Sequence, residues 1–469
     1  VWTVTRIAEI VEGQLHRPAD PLQQVTGFSI DSRTLRRGEF FIALPGERTD
    51  GHLYIADAFR KGASGALVQR LPRELADAGV EVCNCIEVPD TRQALQQLAA
   101  VYRQELTIPI VGITGSSGKT TTKELLYALL SRKYRAYRSP GNYNTEIGLP
   151  LALLAMPPET ETGVFELALQ RPGDIKLLAH IARPTLGIIT AIGEAHLGFF
   201  PNREALAREK WALIERLPAG GWAILNADAP YLSSWACALP ARGVRVVPFG
   251  LRNPDAVVKA QGICEDLPDG LTFTICAFEE RFAVRTRLLG RANAYNILAA
   301  VTAARLLGVE VEHIREALEA FRPVPRRLEL KRSERFGLVL DDSYNANPTA
   351  VREALYTLAR LRFQPPRRKV FVFGDMLELG DRAVELHREI AEVIAELKVD
   401  LVFAIGDLAG ETARVLKERY SWKPEHVYTA QTRDELLKQL EQTLPDERNA
   451  ILVKGSRGMA LDVLVDALV

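Results

Sequence analysis

Residues 110–121 read Ile-Val-Gly-Ile-Thr-Gly-Ser-Ser-Gly-Lys-Thr-Thr, an apolar run that turns through two glycines and leaves as a helical pattern. This arrangement suits a nucleotide triphosphate. Gly115 and Gly118 let the backbone curl so that the N–H groups of Ser116, Ser117 and their neighbours face one anion, and the helix that starts near Lys119 adds its positive end. The Lys119 ammonium would reach the outer phosphates, and Thr120, followed by Thr121, would give a hydroxyl to a phosphate-bound magnesium. Ile113 stands where the longer P-loop pattern has a further glycine, so the chain carries the shorter form G-x-x-G-K-T.

Other polar residues gather just after apolar runs. Glu166 follows Val164-Phe165, and Gly193-Glu194-Ala195-His196 follows the run ending at Thr190. A carboxylate and an imidazole are competent magnesium-site groups once phosphate oxygens and water complete the shell. Taken alone, they also read as a solvated strand end and a loop histidine, and Lys210, on a helix after Asn202, as a surface lysine. The block Asp341-Asp342-Ser343-Tyr344-Asn345-Ala346-Asn347-Pro348 sets two carboxylates and two amides at the end of an apolar strand, more Asx residues than a capped turn needs. Val453 to Gly458 adds a second strand-to-loop element, with Lys454 and Arg457.

These groups need a scaffold, and 469 residues allow about three domains, each with its own core. The first segment, to about residue 105, mixes strands such as 40–44 and 66–68 with a helix over 54–62. The second alternates strands (163–167, 186–190, 222–225) with helices such as 203–217, which predicts a mostly parallel sheet covered on both faces. Residues 244–289 alternate in short runs and predict an antiparallel edge. After Pro323-Val324-Pro325, apolar strands at 338–340, 370–373 and 401–405 each precede a glycine or an Asp and a fourth, 450–453, precedes Lys454-Gly455, the pattern of a doubly wound α/β domain. The domains are therefore set at 1–105, 106–322 and 323–469.

Lys+Arg and Asp+Glu both number 59, which excludes a global basic field for nucleic acid or anionic lipid. The five cysteines are scattered and odd in number, as in a reducing compartment, and Cys83 and Cys85 read as two thiols on one face of a strand. With no apolar run of membrane-spanning length and no charged-then-apolar leader, the chain reads as a soluble cytoplasmic monomer, without membrane insertion. Its first residue, Val1, reads as a processed or trimmed start.

Along essentially its whole length the chain resembles the Mur ligases of peptidoglycan synthesis. The resemblance rests on the G-K-T phosphate loop, on Gly141-Asn142-Tyr143-Asn144-Thr145-Glu146-Ile147-Gly148, on the block at Asp341, on Gly374-Asp375-Met376-Leu377-Glu378-Leu379-Gly380 and on Lys454-Gly455-Ser456-Arg457. Asp31-Ser32-Arg33 and Asp50-Gly51-His52 look like the family's uridine-nucleotide domain. The chain departs at Leu167-Ala168, where Met-Gly is usual, and at Ala292, where His is common. MurE-type members would show a histidine-rich block near 341 and an Asp-Asn-Pro motif, which are absent.

The resemblance implies a three-domain α/β architecture, with a central P-loop parallel-sheet domain and a C-terminal Rossmann-like domain. It implies an ATP- and Mg2+-dependent ligase that joins D-alanyl-D-alanine to UDP-N-acetylmuramoyl-tripeptide. It also assigns residues. Lys119, Glu166, His196 and Lys210 are catalytic; Thr120, Glu166, His196 and a carbamylated Lys210 bind metal. Asn293 and Asn296 face adenine, Asp341 or Asp342 the ribose, and Arg326 the phosphates from across a domain gap. Ser32, Arg33, Asp50, His52, Asn142, Asn144, Tyr344, Asn345, Asn347, Lys454 and Arg457 contact substrate. The third domain is expected to swing about residues 322–326. Still open are another amide ligase of the superfamily, such as a MurE-like ligase, a folylpolyglutamate synthetase or a cyanophycin synthetase, and an ATP-binding adaptor without ligase activity.

Overall fold

The computed structural model describes residues 2–20, 22–46, 49–71, 81–266, 270–363 and 365–469. The chain forms two compact units: residues 1–112, 135–168 and 173–185 make one, and 113–134, 169–172 and 186–469 the other.

The first unit is built on a five-stranded sheet ordered Gln14–His16, Cys85–Glu87, Gly65–Val68, Glu39–Ile42, Gly27–Ser29. Its strands are parallel except the edge strand Gln14–His16. Phe41, Ile55, Ala58, Ala66, Val68 and Cys85 pack together on one face. Cys83 and Cys85 do not share a strand face, contrary to the sequence reading. Asn84 between them is fully buried with φ +52°, and its side chain bonds Ala19 N, Gln23 and Ser64 O, so the strand starts only at Cys85. Burial pushes the Cys85 thiol up to about 12, which makes it inert.

Helix Thr91–Glu105 begins at an Asp90 cap that accepts from Arg92 N and Gln93 N. It ties early to late sequence within this unit. Buried Arg103 donates to the carbonyls of Ala182 (2.8 Å), Leu106 (2.8 Å) and Arg183 (3.0 Å), and Tyr102 reaches Met156 O at 3.0 Å. Burial, then Arg183, lowers the Arg103 pKa to about 10, and the carbonyls satisfy the charge that an apolar site would otherwise penalise.

In the second unit, strands Leu186–Ile189, Trp222–Asn226, Arg245–Gly250 and Val258–Asp266 pair in parallel, and Gly270–Ala277 and Glu280–Thr286 continue antiparallel. The expected antiparallel edge therefore starts at Val258, with Arg245–Gly250 still parallel. Helices Lys119–Leu130 and Arg291–Leu306 lie against one another. The second is buried nearly all round, its Ala294, Ala299, Ala300, Ala303 and Ala304 leaving little bulk to hold the partner away.

The C-terminal part is a six-stranded sheet ordered Glu329–Ser333, Gly337–Asp341, Asn449–Lys454, Arg368–Gly374, Leu401–Ile405, Val427–Ala430. All but the edge strand Glu329–Ser333 are parallel, and apolar clusters cover both faces, as a doubly wound fold requires. Among the described residues no helix is long and apolar enough to cross a membrane.

Candidate active site

The phosphate loop has the strained geometry its glycines permit. Gly118 has φ +81°, and a Cβ there would lie 2.2 Å from Asn296 Oδ1; a Cβ on Gly115 would lie 2.0 Å from Thr190 Oγ1. The curl is pinned from outside. Ser116 N donates to Ala191 O at 2.9 Å, Thr190 Oγ1 donates to Ser117 O at 2.5 Å, and Gly193 N donates to Ser116 Oγ at 2.9 Å. Lys119 Nζ folds back to Gly115 O at 2.9 Å, at the start of helix Lys119–Leu130; the Ser116 N–H, expected to face the anion, is instead spent on Ala191 O. Thr121 is buried behind the loop.

Asn296 underlies the loop, accepting from Thr122 Oγ1 at 3.3 Å and donating to Asn293 Oδ1 at 2.9 Å, while Asn293 donates to Leu289 O. Both asparagines are buried, so they brace the loop as well as border it.

His196 and Lys210 approach the same lysine. His196 sits at φ +62°, an uncommon conformation for a residue with a Cβ. Burial, then the cations of Lys119 and Lys210, lower its pKa to about 3, so the imidazole is neutral. Glu378 Oε2 lies 2.7 Å from Nδ1 but out of line, which leaves that nitrogen without a hydrogen bond. The Glu378 side chain is more than half exposed, so water screens its charge and the burial effect prevails.

Lys210, 1% exposed on helix Arg203–Glu215, is no surface lysine. Burial and the Lys119 charge lower its pKa to about 7 against the pull of Glu209, so a large share of its amine is neutral at neutral pH.

Several groups expected to touch ligand are engaged inside the protein. Asp341 accepts from Lys331 Nζ (2.8 Å) and Ser343 Oγ (2.6 Å). Asp342 Oδ2 meets Lys454 Nζ at 2.5 Å, and Lys454 also donates to Asn345 O at 3.0 Å. Burial lowers the Lys454 pKa despite this pair. Removing one member of a buried pair strands the other, so Lys454→Met is expected to destabilise the protein by about 3–5 kcal/mol, read as a lower urea midpoint.

Asn347 caps helix Pro348–Arg360 through Ala350 N (3.0 Å) and donates to Ser116 O at 3.4 Å. Arg326 points away from the loop and pairs with Asp462 at 2.7 Å. Its neighbour Arg327, which the sequence reading missed, stands there instead. Arg327 Nη2 lies 3.4 Å from Thr120 Oγ1, and its guanidinium stacks 3.9 Å from the Tyr344 ring, with Arg457 5.3 Å from the same ring. The Arg326-Arg327 doublet was the only sequence signal, and the left-handed backbone at Arg326 (φ +62°) selects the second arginine.

Glu194, quoted in the sequence motif without a role, is also engaged. Burial would raise its pKa, but Thr349, Arg352 and Arg203 outweigh that and hold it below the usual carboxylate range.

In the first unit, buried Glu166 accepts from Asn144 Nδ2 at 2.9 Å, and its N–H meets Ser139 Oγ at 3.4 Å. Ala168 N donates to Asn144 O at 2.9 Å, so the Leu167-Ala168 departure leaves this brace intact. Asn142 is exposed. Both ring nitrogens of His52 are engaged, Nδ1 at 2.6 Å from Asp50 and Nε2 accepting from Gln69 N at 2.9 Å, which makes it a brace for its loop. Arg33 is exposed and holds Asp31 down at about 2, and Ser32 is buried beside it.

Among the described residues, no group of three or more His, Cys, Asp and Glu side chains gathers at metal-binding spacing. Within the second unit the donors at hand are the Thr120 hydroxyl and the neutral His196 imidazole. Such a sparse set suits magnesium, which takes most of its shell from phosphate and water.

A strand, a glycine loop, a buried lysine and parallel sheets define a P-loop protein of the α/β class. Residues 24–103 match the model of the Mur ligase family catalytic domain, 113–304 the Mur ligase middle domain, and 326–457 the Mur ligase glutamate ligase domain. The chain belongs to the Mur ligase family. It is 35% identical to the UDP-N-acetylmuramoyl-tripeptide--D-alanyl-D-alanine ligase of Bacillus subtilis (strain 168), over 100% of this chain and 98% of that protein. The crystal structure of MurF from Acinetobacter baumannii superposes with TM-score 0.88 at 31% identity, covering 100% and 98% of the two chains. That of MurF ligase from Thermotoga maritima in complex with ADP gives TM-score 0.82 at 29% identity, covering 95% and 97%.

Proposed function

We propose that this chain is the ATP-dependent ligase that joins D-alanyl-D-alanine to UDP-N-acetylmuramoyl-tripeptide, in cytoplasmic synthesis of the peptidoglycan precursor. The observation that carries the reading is end-to-end similarity to ligases of that name, combined with a complete phosphate loop. The proposed division of labour gives the UDP-sugar to residues 1–105, ATP to 106–322 and the dipeptide to 323–469.

Oxide is too poor a leaving group for an amine to displace from a carboxylate, so the carboxylate must first be activated. The acceptor's terminal carboxylate oxygen attacks the γ-phosphorus of ATP, the bond to the β-bridging oxygen breaks, and ADP leaves. The dipeptide amine then attacks the acyl carbon, loses a proton, and inorganic phosphate departs. The protein supplies positioning and charge neutralisation. Lys119 and the loop N–H groups hold the β and γ phosphates, and Arg327 adds a cation beside Thr120. Asn293 and Asn296 border the adenine, and Arg457, beside the Tyr344 ring, meets a substrate carboxylate, while Lys454 braces that loop through Asp342 and Asn345 O.

Magnesium would neutralise the anionic oxygens, with Thr120, Glu166 and His196 as ligands. Lys210 as a carbamate would supply an anionic oxygen, and a buried amine with a pKa near 7 supports this, because only the neutral amine adds to carbon dioxide.

Coupled phosphate release tests the activity. D-alanyl-D-alanine is expected to be used at least about 100-fold better than L-alanyl-L-alanine, because a pocket shaped for one stereoisomer clashes with the methyl of the other. Equal rates with the two dipeptides, or phosphate release without any dipeptide, would overturn the reading.

A further inference from the structure

We propose that Glu194 is a positioning residue for this ligation, a buried carboxylate that seats helix Pro348–Arg360 against the phosphate loop. The inference rests on the ligase reading above.

Glu194 lies on the loop after strand Leu186–Ile189 and is 5% exposed. One carboxylate oxygen takes the Arg203 guanidinium. The other accepts from Thr349 Oγ1 at 2.8 Å and Arg352 Nη1 at 3.1 Å. Thr349 and Arg352 are three residues apart at the start of one helix, so they share a face, and the carboxylate meets the helix at its positive end. Arg352 also pairs with Glu389 at 2.6 Å, which carries the link into the next helix, Ala383–Glu396.

The same loop holds the nucleotide side. Gly193 N donates to Ser116 Oγ, while Asn347, the cap of the seated helix, donates to Ser116 O. Glu194 thus sits where the phosphate loop, the His196 loop and the C-terminal sheet domain converge.

The seat is also shaped. A Cβ on Gly193 would lie 2.3 Å from Thr349 Oγ1, and one on Gly198 would lie 2.7 Å from Gly380 N, so both loops need bare backbone to approach this closely.

Away from the C-terminal domain, Glu194 would keep Arg203 and lose Thr349 and Arg352. In the docked arrangement the carboxylate exchanges water for charge-assisted bonds from Thr349 and Arg352, so this one group favours docking. Docking is what brings Arg327 to Thr120 and Glu378 over His196. Glu194 therefore acts on turnover through other residues.

The test is Glu194→Gln in the full chain, which keeps the shape and removes the charge. We expect kcat for ligation to fall at least about tenfold, while affinity for ADP alone changes less than about threefold. Thr349→Val attacks the same link from the helix side and serves equally if the first variant does not fold. The double variant is expected to be no worse than the more damaged single one, because both remove one interaction. Unchanged kcat, a loss confined to ADP affinity, or fully additive losses would each overturn the proposal. A wild-type chain that forms no amide would instead count against the ligase reading, so the two failures are distinguishable.

Discussion

Lys119→Ala is expected to abolish ATP-dependent ligation while the protein stays folded. The ammonium sits 2.9 Å from Gly115 O, beside the loop at the start of helix Lys119–Leu130. From there it can meet the charge that moves onto the transferring phosphoryl group. Such a contact contributes at least about 3 kcal/mol in the transition state, a rate loss beyond about 100-fold. Folding should survive, because the loop is pinned by Ser116, Ser117 and Thr190. Circular dichroism would report the fold and phosphate release the activity; near-normal turnover in a folded variant would remove Lys119 from the site.

The second large effect concerns Lys210. Lys210→Ala is expected to be nearly inactive and partly restored by added acetate, whose carboxylate can occupy the position of the carbamate. Lys210→Arg should remain inactive with or without acetate, since a guanidinium stays charged and does not add carbon dioxide. The arginine variant also controls for a bare need for positive charge. Retention of most activity by Lys210→Arg, or side-chain density ending in a plain ammonium in a magnesium- and nucleotide-bound crystal, would sink the carbamate.

Much of this was legible in the sequence where a local pattern has one physical solution. Two spaced glycines between an apolar strand and Lys-Thr left little alternative to a phosphate loop, and the C-terminal strands were plain because buried parallel strands read as continuous apolar runs. The edge strand Glu329–Ser333 was missed for the opposite reason: its Glu, Lys and Arg suit an exposed edge and give no apolar run.

Lys210 shows a different limit. Arg208 and Glu209 beside it make the helix look solvated, and only tertiary packing buries the lysine. His52 likewise stood among polar residues, and its role as a brace depends on Gln69, seventeen positions on. At the Arg326-Arg327 pair a single left-handed residue decides which side chain faces the loop, and no periodicity reports that sign.

The bonds of Arg103 bear on how the chain is made. This guanidinium is buried, yet two of its carbonyl partners belong to Ala182 and Arg183, some 80 residues later. A ribosome delivers the N-terminal sheet well before those partners, and the intervening stretch 113–134 belongs to the other unit. The first unit therefore cannot close until residue 185 has emerged, and a fragment cut near residue 105 would leave Arg103 without these carbonyls and its helix without the helices Gly148–Leu154 and Asp174–Ala182 that it packs on. Vectorial synthesis leaves this N-terminal segment waiting with apolar surface uncovered, the interval in which a nascent chain most needs a chaperone.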